Sequence, residues 1–238
     1  QLIDAGIHRV TPSKALEAHL PAKPTGRCVV IGAGKASALM AKIVDEVWTD
    51  VPLSGVVSTR YGHAVDAGRI RVIEAGHPVP DSNSELAAVN MLEQISSLSA
   101  NDVVISLMSG GGSACCALPI EGISLELKAQ VNKRLLNSGA PIEHINILRR
   151  AMSRVKGGKL AAAAFPARVH TLVISDIPGD RLSDVASGPT IAVTDKGDLS
   201  PIEVALRYGC DDVIPLLSEA QVPAITLNKN SATLVASP

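Results

Sequence analysis

Residues 102–114 have the sequence Asp-Val-Val-Ile-Ser-Leu-Met-Ser-Gly-Gly-Gly-Ser-Ala, in which an apolar run passes directly into three glycines. The run that ends at Met108 is short and rich in β-branched residues, which predicts a strand buried on both faces of a sheet. Three residues without a Cβ let backbone N–H groups converge, and a helix that begins after them presents its positive end. An anion site is therefore predicted at the carboxyl end of this strand, formed by Ser109, Gly110, Gly111, Gly112 and Ser113. A tight strand-to-helix connection is the simpler alternative.

The rest of the chain alternates short apolar runs with helical patterns. Strands are predicted at residues 27–31, 55–59, 70–75, 168–175 and 224–227. Helices are predicted from the turn at residues 32–37 to about residue 48, then at 82–98, 123–137, 143–164, 200–208 and 211–219, with an interruption at Gly157-Gly158. This alternation predicts an α/β fold with a doubly wound, mainly parallel sheet flanked by helices, a Rossmann-like three-layer domain.

Composition excludes several classes of function. The 238 residues carry a net charge of −1 and are 2% aromatic, which disfavours nucleic-acid binding by charge or by base stacking. No apolar run approaches the roughly 18 residues that span a bilayer, so no membrane partner is predicted. Four cysteines without metal spacing predict reduced, mostly buried thiols and a cytoplasmic protein.

A second glycine turn, Gly32-Ala33-Gly34-Lys35, follows the first predicted strand. It is not a P-loop, because the first glycine of that motif falls on Val29. It also has Ser37 where a dinucleotide fingerprint has Gly or Ala, and Arg60 follows the next strand where that fingerprint has an acid. Arg60 could face a 2′-phosphate, which leaves a nicotinamide-dependent enzyme open.

Lys35 is predicted in the first turn of a helix, where a cation opposes the helix dipole by roughly 0.3–1 kcal/mol. That position is favourable if an anion binds between the lysine and the helix end. A solvated lysine is the alternative.

Acidic and hydroxyl side chains follow the strand predicted at 168–175. Asp176 and Asp180 could hold Mg²⁺ or accept a proton from a substrate hydroxyl, although Asp-x-Pro-Gly-Asp is also a good turn sequence. Ser187, Gly188 and Thr190 form a further small-residue turn close behind.

Basic residues surround the paired glycines Gly157 and Gly158, with Lys156 and Lys159 directly beside them. They form either a solvated helix face or a second site where a helix end approaches a phosphate. His77, between Gly76 and Pro78, is the histidine that we expect near a cleft.

Five motifs stand in the order found in one family, so the chain resembles the N-terminal domain of the glycerate 2-kinase family, some members of which carry the label hydroxypyruvate reductase. The resemblance covers essentially all 238 residues, and the motifs are Ile31-Gly32-Ala33-Gly34-Lys35-Ala36, Gly76-His77-Pro78-Val79-Pro80-Asp81, Ser109-Gly110-Gly111-Gly112-Ser113-Ala114, Lys156-Gly157-Gly158-Lys159-Leu160-Ala161, and Ile174-Ser175-Asp176 with Gly179-Asp180 and Ala186-Ser187-Gly188-Pro189-Thr190.

The resemblance implies ATP- and Mg²⁺-dependent phosphorylation of D-glycerate, giving 2-phosphoglycerate in most members. Lys35 and Asp176 match the family's conserved lysine and acid and are the expected catalytic residues, with Asp176 and Asp180 as expected metal ligands. Contacts to the nucleotide are expected from Gly32, Gly34, Ser109, Gly110, Gly111, Gly112, Ser113, Lys156, Gly157, Gly158, Ser187, Gly188 and Thr190.

Family members continue into a C-terminal domain that closes the cleft, whereas this sequence stops at Pro238. We therefore expect residues 1–238 to be the N-terminal domain, with weak or no kinase activity alone. A nicotinamide-dependent hydroxypyruvate reductase and a non-catalytic anion-binding domain are the alternatives. The apolar helices leave a homodimer open.

Overall fold

The computed structural model describes residues 12–175, 181–193, 198–219 and 230–237. Its parallel strands form one sheet in the order β3-β2-β1-β4-β5-β6. The strands are β1 (Cys28–Ala33), β2 (Leu53–Arg60), β3 (Arg71–Ala75), β4 (Val103–Ser109), β5 (Arg168–Ile174) and β6 (Ser231–Ala236).

Helices connect these strands. They are α1 (Pro12–His19), α2 (Ser37–Val47), α3 (Ser82–Ile95), α4 (Gly112–Cys115), α5 (Leu125–Asn137), α6 (Ile142–Ala151), α7 (Lys159–Ala163), α8 (Pro201–Arg207) and α9 (Ile214–Glu219), with 3₁₀ turns at Val185–Ser187 and Asp211–Val213. Side chains cap the helices that carry a clear start signal. Asp81 and Ser84 form a capping box at α3, and Ser200 and Glu203 form another at α8.

The strand order reverses between β1 and β4, which lie side by side at the centre of the sheet. They run in register, so that Ala33 lies opposite Met108. This reversal is the switch point of the sheet, and the carboxyl ends of the strands at a switch point are the usual ligand site of a doubly wound fold. The predicted fold class is confirmed.

Apolar side chains pack on both faces of the sheet. Val29 and Ile31 of β1 face the core formed with α3 and α7, while Cys28 and Val30 face the core formed with α1 and α2. A third cluster lies among α5, α6 and α8. This helical layer covers one side of the turn that follows β4.

Two element predictions differ from the structure or stay untested. The predicted interruption of the helix at 143–164 is confirmed, since Gly157 and Gly158 adopt φ values of 65° and 85°, but α6 already ends at Ala151, earlier than predicted, and α7 begins at Lys159. The strand predicted at 224–227 lies outside the described residues, and β6 at Ser231–Ala236 was not predicted. β6 is an edge strand of half-exposed, partly small residues, so its hydrophobic pattern is weak. Within the described ranges, no helix has the length and hydrophobicity to cross a membrane.

Candidate active site

The turns that follow β1 and β4 contact each other directly. The backbone nitrogen of Lys35 donates to the carbonyl oxygen of Gly110 over 2.9 Å, and that of Ala36 donates to Ser109 Oγ over 3.0 Å. Gly34 adopts φ +131°, and a Cβ at this position would overlap Ser109. A glycine is therefore required for the two turns to approach this closely.

The backbone N–H groups of the turn after β1 all donate to acceptors within the protein. Besides the bonds of Lys35 and Ala36, Gly34 N donates to Ser58 O over 3.0 Å and Ser37 N donates to Gly34 O over 3.1 Å. A dinucleotide-binding glycine turn instead directs such N–H groups at a pyrophosphate. Gly32 lies inside β1, where a Cβ would overlap the carbonyl oxygen of Leu107. Nucleotide contacts by Gly32 and Gly34 stay predictions, since both glycines are accounted for by packing against β4.

The glycine turn after β4 has the opposite character. Among the described residues, the N–H groups of Gly111, Gly112 and Ser113 donate to no backbone or side-chain acceptor. Gly111 adopts φ +82°, which directs the chain into α4. The helix end contributes less than expected, because α4 has only four residues and its dipole is correspondingly small. Convergent N–H donors are what this turn offers to an anion.

Lys35 and His77 lie on either side of Gly111. A Cβ on Gly111 would lie 2.9 Å from His77 Cδ2 and 3.4 Å from Lys35 Cγ, so both side chains run along the turn. Lys35 precedes α2, which begins at Ser37, and is therefore just outside the first helical turn in which it was predicted. Its side chain is exposed. His77 stands at the cleft, as predicted.

A cavity of about 240 Å³ lies beside the glycine turn. Its walls are His77, Pro78, Pro80, Gly110, Gly111, Ser113, Ala114, Lys128, Asn132, Ile142, Arg149, Asp184, Val185 and Ala186. The basic side chains come from α5 and α6 and face the glycine turn across the cavity. Sequence reasoning missed Lys128, although its spacing from Val131 and Leu135 on the buried face of α5 was a usable signal.

A chain of side-chain hydrogen bonds connects the glycine turn to residues 183–187. Ser113 Oγ lies 3.2 Å from Ser187 Oγ, which donates to Asn146 Oδ1 over 3.0 Å. Asp184 Oδ1 accepts from Asn146 Nδ2 over 2.9 Å and from Arg150 Nη2 over 2.7 Å. Ser187 has φ +63°, a conformation that costs about 1–3 kcal/mol and persists only when its surroundings enforce it. The network therefore holds this segment against the glycine turn.

Lys156 also holds residues 183–187 in place, through hydrogen bonds of its side-chain amine. Its fully buried amine donates to the carbonyl oxygens of Ser113, Cys116 and Ala186 over 3.0, 3.1 and 3.3 Å. Burial lowers the pKa of Lys156 to about 7, and the positive charge of Lys128 acts in the same direction. Three carbonyl oxygens already accept hydrogen bonds from the Lys156 amine. A contact of Lys156 with phosphate stays a prediction.

Gly157 and Gly158 also hold the segment that contains Ser187, through their backbone N–H groups. Gly157 N donates to Ser187 O over 3.1 Å, and Gly158 N donates to Gly188 O over 2.7 Å. These two N–H groups, which were predicted to approach a phosphate, therefore donate to carbonyl oxygens of the protein. Lys159 likewise donates to the carbonyl oxygens of Arg150 and Ser153, and a second phosphate site at this helix start stays a prediction.

Thr190 anchors the end of the segment to the sheet. Its buried hydroxyl lies 3.0 Å from Ser106 Oγ and 2.8 Å from Thr171 Oγ1. Direct nucleotide contacts by Ser187, Gly188 and Thr190 therefore stay predictions, whereas their role in holding the segment is observed.

The predicted metal ligands Asp176 and Asp180 lie outside the described residues. Within the ranges that the structure does describe, no group of three or more His, Cys, Asp or Glu side chains could hold a metal ion. Asp184 is engaged by Arg150 and Asn146. All four cysteines are buried, as predicted, and burial raises the pKa of Cys115 to about 11, so this thiol is no nucleophile at neutral pH.

An open parallel sheet with a free glycine turn and a cationic cavity at its switch point defines an α/β domain whose cavity suits a small anion. The chain belongs to the family described as a domain of unknown function, DUF4147, which it matches over residues 1–218.

Two relatives show what kinds of protein the chain is similar to. The chain is 40% identical over 212 residues to the D-glycerate 2-kinase of Thermotoga maritima, covering 89% of this chain and 51% of that protein. It is 50% identical over 212 residues to a protein of Agrobacterium vitis named "Putative hydroxypyruvate reductase", covering 89% of this chain and 48% of that one. The chain thus spans about half the length of these relatives.

A solved structure shows the same fold. The crystal structure of glycerate kinase from Thermotoga maritima matches with a TM-score of 0.86 and 37% identity, over 98% of this chain and 57% of that chain. The resemblance to the glycerate 2-kinase family is confirmed.

Proposed function

We propose that this chain forms one wall of a kinase site that transfers the γ-phosphoryl group of ATP to a hydroxyl of D-glycerate, giving 2-phosphoglycerate. The observation that carries the proposal is the meeting of Lys35 with the unbonded N–H groups of the glycine turn at the switch point. Phosphoryl transfer needs reactants held in line and negative charge stabilised, and this arrangement supplies cationic and N–H groups for both tasks.

Each group has a distinct proposed role. The substrate hydroxyl oxygen attacks the γ-phosphorus, the bond to the ADP oxygen breaks, and Asp176 accepts the hydroxyl proton. Lys35 stabilises the charge that develops on the transferred phosphoryl oxygens, and the N–H groups of Gly111, Gly112 and Ser113 donate to the same oxygens or to the substrate. Mg²⁺ would neutralise phosphate charge when bound with ATP, and Asp176 and Asp180 would hold it.

A reductase is the second candidate because of the name carried by the Agrobacterium vitis relatives. Hydride transfer requires a bound nicotinamide dinucleotide. The four N–H groups of the turn after β1 are committed to Ser58, Gly110, Ser109 and Gly34, which leaves none for a pyrophosphate. The kinase is therefore the better supported function.

One pair of assays separates the candidates. ADP formation from ATP, Mg²⁺ and D-glycerate is expected from residues 1–238 fused to the C-terminal half of the Thermotoga maritima D-glycerate 2-kinase, and phosphorus NMR identifies the product as 2-phosphoglycerate. Oxidation of NADH or NADPH by hydroxypyruvate is not expected. Turnover in the second assay without turnover in the first would overturn the kinase proposal.

A further inference from the structure

Lys128 is a buried lysine on the wall of the 240 Å³ cavity. Its side chain is only 1% exposed, and among the described residues its amine has no hydrogen-bond acceptor and no carboxylate within 4 Å. Burial lowers the pKa of Lys128 to about 8, and the positive charge of Arg149 acts in the same direction. The Lys128 ammonium group therefore borders the cavity, and no described residue supplies a hydrogen-bond acceptor or a negative charge for it.

Arg149 is the second uncompensated cation of this wall. Its Nε donates to Asn132 Oδ1 over 3.0 Å, and no acidic side chain of the described ranges pairs with it. Burial lowers the pKa of Arg149. Both residues line the same cavity, and the charge of each disfavours the charge of the other.

Three neighbouring buried or half-buried cations have partners, in contrast to these two. Arg150 pairs with Asp184 at 2.7 Å, Lys156 donates to three carbonyls, and Lys159 donates to two. Burying a charge without a partner costs several kcal/mol, so proteins rarely keep one unless a ligand supplies the partner. Two such cations side by side indicate a site for an anion.

We infer that Lys128 and Arg149 form a carboxylate-binding subsite that holds the acid substrate across the cavity from the glycine turn. The cavity is smaller than the roughly 300–1,000 Å³ that drug-sized ligands occupy, so it suits a three-carbon acid better than a nucleotide. A carboxylate held on this wall directs the rest of such a molecule toward His77 and the glycine turn on the opposite wall. That the acid is glycerate rests on the proposed function.

The subsite makes opposite predictions for stability and for binding. Replacing Lys128 by methionine removes an unpartnered buried charge and keeps the volume, so the variant is expected to unfold at a higher urea concentration than the wild type. The same replacement removes a charge-assisted hydrogen bond to the carboxylate. A merely structural lysine would not produce this combination.

Isothermal titration calorimetry on residues 1–238 tests the subsite. D-glycerate, inorganic phosphate and glycerol are titrated into the wild type, Lys128→Met and Arg149→Met, with Lys133→Met as a matched control because Lys133 is exposed on the same helix. Each of the two subsite variants is expected to bind D-glycerate about tenfold more weakly or worse, since a charge-assisted hydrogen bond contributes that much or more. The control is expected to bind like the wild type, and glycerol, which lacks the carboxylate, is expected not to bind.

Three results would overturn the inference. The first is unchanged D-glycerate binding in both subsite variants. The second is a loss of phosphate binding alone in these variants, which would assign the wall to a phosphate. The third is a wild type that binds neither D-glycerate nor phosphate. Failure of the proposed function is seen separately. Absence of ATP turnover together with carboxylate binding that depends on Lys128 would reject the kinase and keep the subsite.

Discussion

The backbone nitrogen of Lys35 lies 2.9 Å from the carbonyl oxygen of Gly110, and this hydrogen bond ties together the turns that leave the two central strands. It places the Lys35 backbone beside the glycine turn, so that the lysine side chain starts next to the free N–H groups. The position of the proposed phosphoryl-transfer site is thus set by backbone geometry, in which Gly34 is the decisive residue.

Gly34→Ala is expected to destabilise the protein by more than Gly62→Ala. Both glycines have positive φ, so each substitution introduces backbone strain of about 1 kcal/mol. Only the Cβ at position 34 also meets Ser109, whereas nothing lies within 4 Å of a Cβ at position 62. Urea unfolding of the two variants measures the difference, and equal midpoints would show that the two turns are not in tight contact.

Arg150→Met is expected to destabilise the protein by roughly 1.5–3 kcal/mol, because it removes a charge-assisted hydrogen bond and leaves the largely buried Asp184 carboxylate with only Asn146 and the exposed Arg181, 3.7 Å away, as partners. Arg134→Met is the comparison, since the Arg134–Asp212 pair is exposed and such pairs contribute about 1 kcal/mol or less. Chemical unfolding of both variants checks the prediction. Similar losses would mean that Arg150 does not hold the segment at residues 183–187.

Lys156 is expected to make stability depend on pH. Its pKa is about 7 in the folded protein and near the ordinary value of 10.5 when unfolded, so between these values the unfolded state binds more protons. The free energy of unfolding therefore rises with pH from about 7 upward, by at most about 1.4 kcal/mol per pH unit for this group. Lys156→Met is expected to reduce that slope, with Lys128 and Lys159 supplying the remainder. An unchanged slope in unfolding experiments at several pH values would contradict the assignment.

Lys128 is expected to make D-glycerate binding weaken as the pH rises past about 8, because only the protonated amine attracts a carboxylate. The charged or titratable groups around it are Arg149, Cys116, Lys156, His77 and Asp184. Calorimetric dissociation constants measured across this range check the prediction. Lys128→Met is expected to bind weakly and without this dependence, and a parallel pH profile in the variant would assign the titration to another group.

Much of the fold could be predicted from local pattern. The buried strands, the capped start of α3 at Asp81 and the proline start of α8 are each determined by residues close in the chain. The parallel sheet followed from their alternation, and the edge strand β6 did not, because an exposed edge needs no strong apolar pattern.

The candidate site was predictable only in part. Glycine turns and Lys35 carry a local signature, so their place at the strand ends could be expected. Which N–H groups remain free is decided by contacts between segments that are distant in the chain, such as Gly157 with Ser187, and the sequence does not reveal them. Lys128 was hidden because a lysine on an amphipathic helix is usually solvated.

Glycerate-dependent ATP turnover in Lys35→Ala tests the central claim most directly. The assay compares wild type, Lys35→Ala and Lys42→Ala, which replaces a half-exposed lysine of α2. Each is measured in residues 1–238 alone and fused to the C-terminal half of the Thermotoga maritima D-glycerate 2-kinase. Lys35→Ala is expected to lower kcat by about 100-fold or more, as loss of a group that stabilises transition-state charge does, while Lys42→Ala retains wild-type turnover. Wild-type kcat in Lys35→Ala would contradict the account.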